Sequence, residues 1–199
     1  MQESKYQELQ KQAEKSVKES MTLFQDWPNK GVGFQDISNL FLCYDKFSDV
    51  LDYYEHRFSD VDLVVGLEAR GFILGTAFAQ RMKLPMMMIR KKGKLPGPCF
   101  RESYKKEYGT DEFEVQEKAL SKVVVKPSKK YHVLIMDDIL APGGTMAASI
   151  ELTKKVLINN GIKDFKISTS LISSIKVLNG KEKIYEKYND VSVDIIIEM

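Results

Sequence analysis

One stretch narrows the choice of folds more than any other: Val133-Leu134-Ile135-Met136-Asp137-Asp138-Ile139-Leu140-Ala141-Pro142-Gly143-Gly144-Thr145. Four apolar residues in a row read as a strand buried on both faces, the kind found in parallel sheets covered by helices. Beyond Thr145, the residues Met146, Ile150, Leu152, Val156 and Leu157 recur with helical spacing. The stretch is therefore a strand, an acidic pair, a glycine turn and a helix. Such a junction aims backbone N–H groups and the positive end of a helix at one small volume, which suits a phosphate. Glycines let the main chain come close to the anion. Successive side chains on a strand point to opposite faces, so Asp137 and Asp138 do not form a symmetric clamp for one ion. They are expected to line a polyhydroxylated ligand, such as a ribose, beside a phosphate cup formed by Ala141 to Thr145. A plain strand-to-helix junction also carries Asp and Gly; the apolar run, both acids and Gly-Gly-Thr together favour the phosphate. The lysine of a Walker A loop and the spacing of a G-x-G-x-x-G turn are both missing.

The rest of the chain supplies the sheet around this junction. Val61 to Leu67 and Leu84 to Ile89 read as strands, with Phe72 to Met82 helical between them and three methionines, Met86 to Met88, as core filler. Ile167 to Ile172 and Val191 to Glu198 read as further strands, with Asn179-Gly180-Lys181 a turn before the last. Gly161 fits the left-handed residue that ends a helix. Asp45 to Phe58 is an amphipathic helix. An N-terminal helix is expected from a Ser4–Gln7 capping box through an apolar stripe reaching Met21 and Phe24. Strands alternating with helices define an α/β domain with a largely parallel sheet, whose ligands sit at the carboxyl ends of strands. Arg70, in the turn Glu68-Ala69-Arg70-Gly71, falls at such an end and suits bidentate grip of an anion, although a surface salt bridge is the ordinary use of such a residue. The basic run Arg90 to Lys94 also leaves a buried strand, so some of its charges are expected to face inward. Cys99 to Thr110 reads as a polar, mobile loop of the kind that serves as a lid, with a short strand at Phe113 to Val115 and a further strand and turn over Ser121 to Pro127.

Composition excludes several classes. A chain of 199 residues, 43% hydrophobic and 29% charged, can bury a sizeable core as a single soluble domain. A net charge of +2 makes no broad basic field, so nucleic acid is not expected as a partner. Cys43 and Cys99 match no metal spacing and no disulfide framework, which suits a reducing, cytoplasmic setting. Met1 to Ser20 is too charged for a signal peptide, and no apolar run is long enough to span a membrane. His56 and His132 have no partner at metal-binding spacing.

Five stretches together resemble the adenine-specific members of the type I phosphoribosyltransferases. They are Gly31 to Ser38, Val65 to Phe72, Arg90-Lys91-Lys92-Gly93-Lys94-Leu95-Pro96-Gly97, Glu107-Tyr108-Gly109 and Asp137 to Thr145. The Asp-Asp turn is common to the whole family; the Arg-Lys-x-Gly-Lys-Leu-Pro-Gly block is more particular to the adenine branch. The resemblance implies an α/β domain over 1–199, with 1–37 an N-terminal helix and hood and 38–199 the core, carrying a flexible active-site loop. It implies transfer of phosphoribosyl from phosphoribosyl diphosphate (PRPP) to adenine, giving AMP and pyrophosphate, with Mg²⁺ held through the diphosphate and ribose and no metal ligand assigned directly. Arg70, Lys94 and Tyr108 would engage the diphosphate. Asp137, Asp138 and Ala141, Pro142, Gly143, Gly144 and Thr145 would hold the ribose 5-phosphate. Phe34 would stack on adenine, the main chain of Val32 to Gln35 would read its edge, and Glu107 would be the catalytic acid nearest the base. A homodimer and a cis peptide between Glu68 and Ala69 are implied as well. Transfer to another nucleobase, or a PRPP-sensing regulator without catalysis, are the alternatives. The chain departs from the family pattern at Gln35, Ala69 and Pro142, where Arg, Ser and Thr are usual.

Overall fold

The structure, a computed structural model, describes all residues except 1, 28–29, 31–32, 107–108 and 124–129. The chain divides into two compact units, Met1–Ser59 and Asp60–Met199. The first unit contains α1 (Gln2–Ser20), α2 (Ser38–Leu42), α3 (Tyr44–Arg57) and a small antiparallel ribbon of β1 (Thr22–Phe24) and β2 (Phe34–Asp36). Ala13 and Val17 of α1 are buried, as are Val50, Tyr53 and Tyr54 of α3. Ser16 Oγ donates to Asp49 Oδ2 at 2.5 Å, tying the two helices. The N-terminal helix differs from expectation at both ends. It is already helical at Gln2, so Ser4 lies inside it and cannot cap it, and it stops at Ser20. Phe24 consequently lies in β1 rather than on the helical stripe.

The second unit is built on a seven-stranded sheet. Its strands are β3 (Leu63–Leu67), β4 (Met86–Lys91), β5 (Cys99–Lys106), β6 (Gly109–Gln116), β7 (Tyr131–Leu140), β8 (Phe165–Ser174) and β9 (Ser192–Glu198). The spatial order is β5-β6-β4-β3-β7-β8-β9. Pairings β4–β3, β3–β7, β7–β8 and β8–β9 are parallel; β4–β6 and β5–β6 are antiparallel. The largely parallel α/β sheet expected from the sequence is thus present, and its central strands are the continuous apolar runs. Val133, Leu134, Ile135 and Met136 of β7 and Val64, Val65 and Leu67 of β3 have no exposed surface. The α-helices among the described residues of this unit are α4 (Arg70–Met82), α5 (Gly144–Asn159) and α6 (Gly180–Lys187). Ile150, Leu152, Val156 and Leu157 of α5 join the main core with residues of β3, β4, β7, β8 and β9.

Three local expectations change. Cys99 to Lys106 is a strand, paired residue for residue with β6 from Cys99↔Gln116 to Lys106↔Gly109. Its polar residues alternate with Phe100 and Tyr104, a half-buried pattern that low hydrophobicity disguised as a loop. Met88 is 47% exposed while Met87 is buried, so alternation along β4 leaves one of the three methionines out of the core. Asn179-Gly180-Lys181 opens a helix rather than a simple turn. Residues 121–123 are turn, and most of the strand expected up to Pro127 lies outside the described residues. Gly161 has φ +82°, as a helix-ending glycine requires.

Candidate active site

The chain leaves β3 for β4 on one side and returns as β7 on the other, so the carboxyl ends of β3 and β7 lie side by side where the strand order reverses. Open α/β sheets bind ligands in that crevice. The turn after β3 supplies Glu68, Ala69 and Arg70; the turn after β7 supplies Ala141, Pro142 and Gly143. The Glu68–Ala69 peptide is cis, as the resemblance implied. Gly71 allows α4 to begin directly against β7: a Cβ there would meet Met136 O at 2.5 Å.

β7 continues to Leu140, so Asp137 and Asp138 stand inside the strand rather than at its tip. Arg70 Nε lies 2.7 Å from Asp138 Oδ2, an ion pair that ties the start of α4 to β7. The adjacent carboxyls do not simply diverge. Burial, together with the Asp138 charge and a side-chain hydrogen bond to it, pushes the Asp137 carboxyl well above the usual carboxylate range.

The turn after β7 forms a cup of backbone groups. Gly143 takes φ +91° and precedes α5, whose first residues are Gly144 and Thr145. No side chain caps this helix and no acid lies in its first turn, so its leading N–H groups face outward as an anion site. Pro142 contributes no N–H to it. Tyr104 of β5 reaches the same place: its hydroxyl donates to Asp111 Oδ2 at 3.4 Å and hydrogen-bonds the Thr145 side chain. Nothing in the polar surroundings of Tyr104 in sequence marked it as a neighbour of the cup.

The basic run is fastened by acids of β6. Glu114 is fully buried and accepts from the Lys94 N–H at 2.8 Å, the Leu95 N–H at 2.9 Å and Arg101 Nε at 3.2 Å. Burial opposes its charge, but these N–H donors outweigh burial and hold its carboxyl below the usual range. Arg90 pairs with Glu68 at 3.4 Å and Lys92 with Glu112 at 3.0 Å. The side chains of Lys91, Lys92 and Lys94 are exposed, so the expectation of inward-facing charge holds only for half-buried Arg90. Four methylenes let a lysine keep its ammonium in water even when its backbone is anchored. Glu114 itself sits in an ordinary alternating strand and gave no sequence signal.

Of the expected site residues, Arg70, Asp137, Asp138 and Ala141 to Thr145 come together. Phe34 and Gln35 belong to β2 of the first unit, where Phe34 packs edge-on against Trp27 at 4.4 Å and Gln35 is 6% exposed. Val32, Glu107 and Tyr108 lie outside the described residues. Among the described residues no group of three or more His, Cys, Asp or Glu side chains is arranged to hold a metal ion. The acidic pair, with one oxygen held against Arg70, suits a divalent ion only as a companion of a bound diphosphate.

The chain belongs to the family described as the phosphoribosyl transferase domain, which matches residues 48–197. Within it, the chain is 42% identical over 159 residues to the adenine phosphoribosyltransferase of Mycoplasma mobile, covering 80% of this chain and 85% of that one. It is 35% identical to the adenine phosphoribosyltransferase of Brachyspira hyodysenteriae, covering 92% and 98%. The adenine phosphoribosyltransferase of Saccharomyces cerevisiae, solved with an imino-altritol bisphosphate and adenine, has the same fold. Its TM-score is 0.76 at 28% identity, covering 92% of this chain and 98% of that one.

Proposed function

We infer that the chain transfers the 5-phosphoribosyl group of PRPP to adenine, releasing pyrophosphate and forming AMP for purine salvage. The observation that carries this reading is the acidic pair of β7 and the uncapped glycine turn beyond it, with Arg70 alongside, in a chain whose relatives over nearly its whole length are adenine phosphoribosyltransferases.

The reaction separates charge: the ribose ring becomes cationic at the anomeric carbon as the diphosphate leaves. The cup of Ala141 to Thr145 holds the 5′-phosphate on the α5 N-terminus, and Asp137 and Asp138 hold the ribose hydroxyls. The free site accepts a polyanion beside two acids because Asp138 is covered by Arg70 and burial beside Asp138 disfavours the charged form of Asp137. Arg70 then exchanges Asp138 for diphosphate oxygens, with Lys94 and Tyr108 as further partners. Mg²⁺ arriving with the diphosphate would supply charge neutralisation to the leaving group. Phe34 and the main chain of Val32 to Gln35 hold adenine, and Glu107 exchanges a proton with it. The working protein is a cytoplasmic homodimer, each subunit one transferase chain.

AMP formation from PRPP and adenine, with hypoxanthine, guanine, xanthine and uracil in parallel, tests the reading. Turnover with adenine well above every other base is expected. PRPP binding without turnover of any base would overturn it in favour of a regulatory protein.

A further inference from the structure

The turn that makes the phosphate cup is packed against a second element. Gly143 at φ +91° and Pro142 fix two residues, and the proline keeps Ala141 out of the α region; within that range the place of the Ala141 carbonyl is limited by what packs against it. What packs against it is the start of α6. A Cβ on Gly180 would lie 2.1 Å from the Ala141 carbonyl oxygen and 3.0 Å from Leu140 Cγ. In the opposite sense, a Cβ on Gly143 would lie 3.2 Å from the Gly180 carbonyl oxygen and 3.5 Å from Ile184 Cδ1. The two glycines interlock, each vacating the space that the other's neighbourhood fills. The Ile175 N–H donates to Leu140 O at 2.9 Å, and Asn179 turns the chain inward at φ +50°. Gly180 is buried and Ile184 is 1% exposed, so the contact is closed to water.

We infer that Gly180 is a positioning residue for the 5′-phosphate: the first turn of α6 sets the carbonyl of Ala141 and thereby the aim of the Gly143, Gly144 and Thr145 N–H groups. This rests on the reading of Ala141 to Thr145 as the 5′-phosphate cup. Gly180 has no group to offer the ligand and acts only through the turn. A methyl at this position must drive the Ala141 carbonyl about 1 Å outward, and displacements of that size in a positioning group cost up to about 100-fold in rate. The effect should fall on PRPP and AMP, which carry the 5′-phosphate, and spare adenine, which does not.

The test is Gly180→Ala in the full chain, with AMP and adenosine binding, KM for PRPP and for adenine, circular dichroism and Tm measured beside the wild type. The expected result is a native spectrum, AMP affinity and kcat/KM for PRPP lowered about tenfold or more, and adenosine affinity and KM for adenine within about twofold of wild type. A merely structural role would lower Tm without separating AMP from adenosine. AMP binding within about twofold of wild type in a folded variant would overturn the inference, as would equal rises in both KM values. If Gly180→Ala does not fold, Ile184→Ala relaxes the same contact from the other side; a loss of about threefold in AMP affinity alone is expected, and no change refutes the proposal. The wild type separates the two readings. If wild-type AMP binds no better than adenosine, the cup reading itself fails; if AMP binds better and Gly180→Ala matches it, only the role of Gly180 falls.

Discussion

The two turns that face each other across the crevice are built by different physics. The turn after β7 is made of backbone space: Gly143 at a positive φ, a proline, and a close approach to Gly180. No charge takes part in its shape. The turn after β3 is surrounded by charge. Glu68 pairs with Arg90 and accepts the Lys91 N–H at 2.9 Å, while Arg70 reaches across to Asp138. A turn held by excluded volume should be indifferent to pH and salt and intolerant of a single methyl. A turn held by partly exposed ion pairs should tolerate volume changes and respond to pH.

The largest effect should come where the charged turn meets β7. Asp138→Asn removes the partner of Arg70 and one of the two proposed ribose ligands. We expect kcat/KM for PRPP to fall on the order of 100-fold with adenine binding preserved. Wild-type kinetics in the folded variant would show that the Arg70–Asp138 link plays no part in PRPP use.

A smaller effect should mark the charged turn by itself. Burial opposes ionisation of Glu68, but the Lys91 N–H and Arg90 more than offset it and hold the carboxyl below its ordinary value. A lowered folded value means that the stabilisation is present above the unfolded value and is lost as pH falls through the folded one. Glu68→Gln should therefore lower stability at neutral pH by about 1 kcal/mol, a drop in Tm of about 2–4 °C, and flatten the acid limb of the Tm–pH curve. A variant that keeps the wild-type acid limb would assign that limb to other carboxylates.

Asp137 should behave with the opposite sign. Its carboxyl is pushed up by burial and by Asp138, so the free protein loses stability as pH rises from the ordinary carboxylate value through the raised one. Asp137→Asn is expected to raise the neutral-pH Tm of the free protein by a few degrees, while impairing PRPP use. Unfolding followed from pH 4 to 8 checks the sign: a destabilised variant at neutral pH would mean that the charged form of Asp137 is welcome in the fold.

The smallest effect should fall on the uncharged turn at Pro142. Threonine would restore an N–H and a hydroxyl beside the 5′-phosphate, but ordered water recovers part of what is missing and proline pre-bends the turn. Pro142→Thr should tighten AMP binding by about threefold and leave adenosine affinity unaltered, read by titration calorimetry. Unchanged or weaker AMP affinity would mean that the interlock with α6 already presents all the donors the phosphate uses.

Sequence alone determined the α/β class, the buried β3 and β7 runs, the helix after Thr145 and the glycine turn between them. These features are local: periodicity, β-branched runs and glycine placement act over a few residues and can be read without knowing their neighbours. The resemblance of the Asp137–Thr145 and Arg90–Gly97 blocks reached further, to the family. What the sequence could not place was decided by partners distant in the chain. Cys99 to Lys106 is a strand because Glu112 and Glu114 of β6 pair with its edge and with the basic run, although its composition reads as loop. Tyr104 reaches the cup because the hairpin folds onto it, and Gly180 matters because α6 begins against Ala141. The Asp137 carboxyl is pushed up because burial makes a second charge beside Asp138 costly, and burial is a property of the packed sheet. Excluded volume, desolvation and ion pairing each need two surfaces brought together, and only the tertiary structure says which surfaces meet.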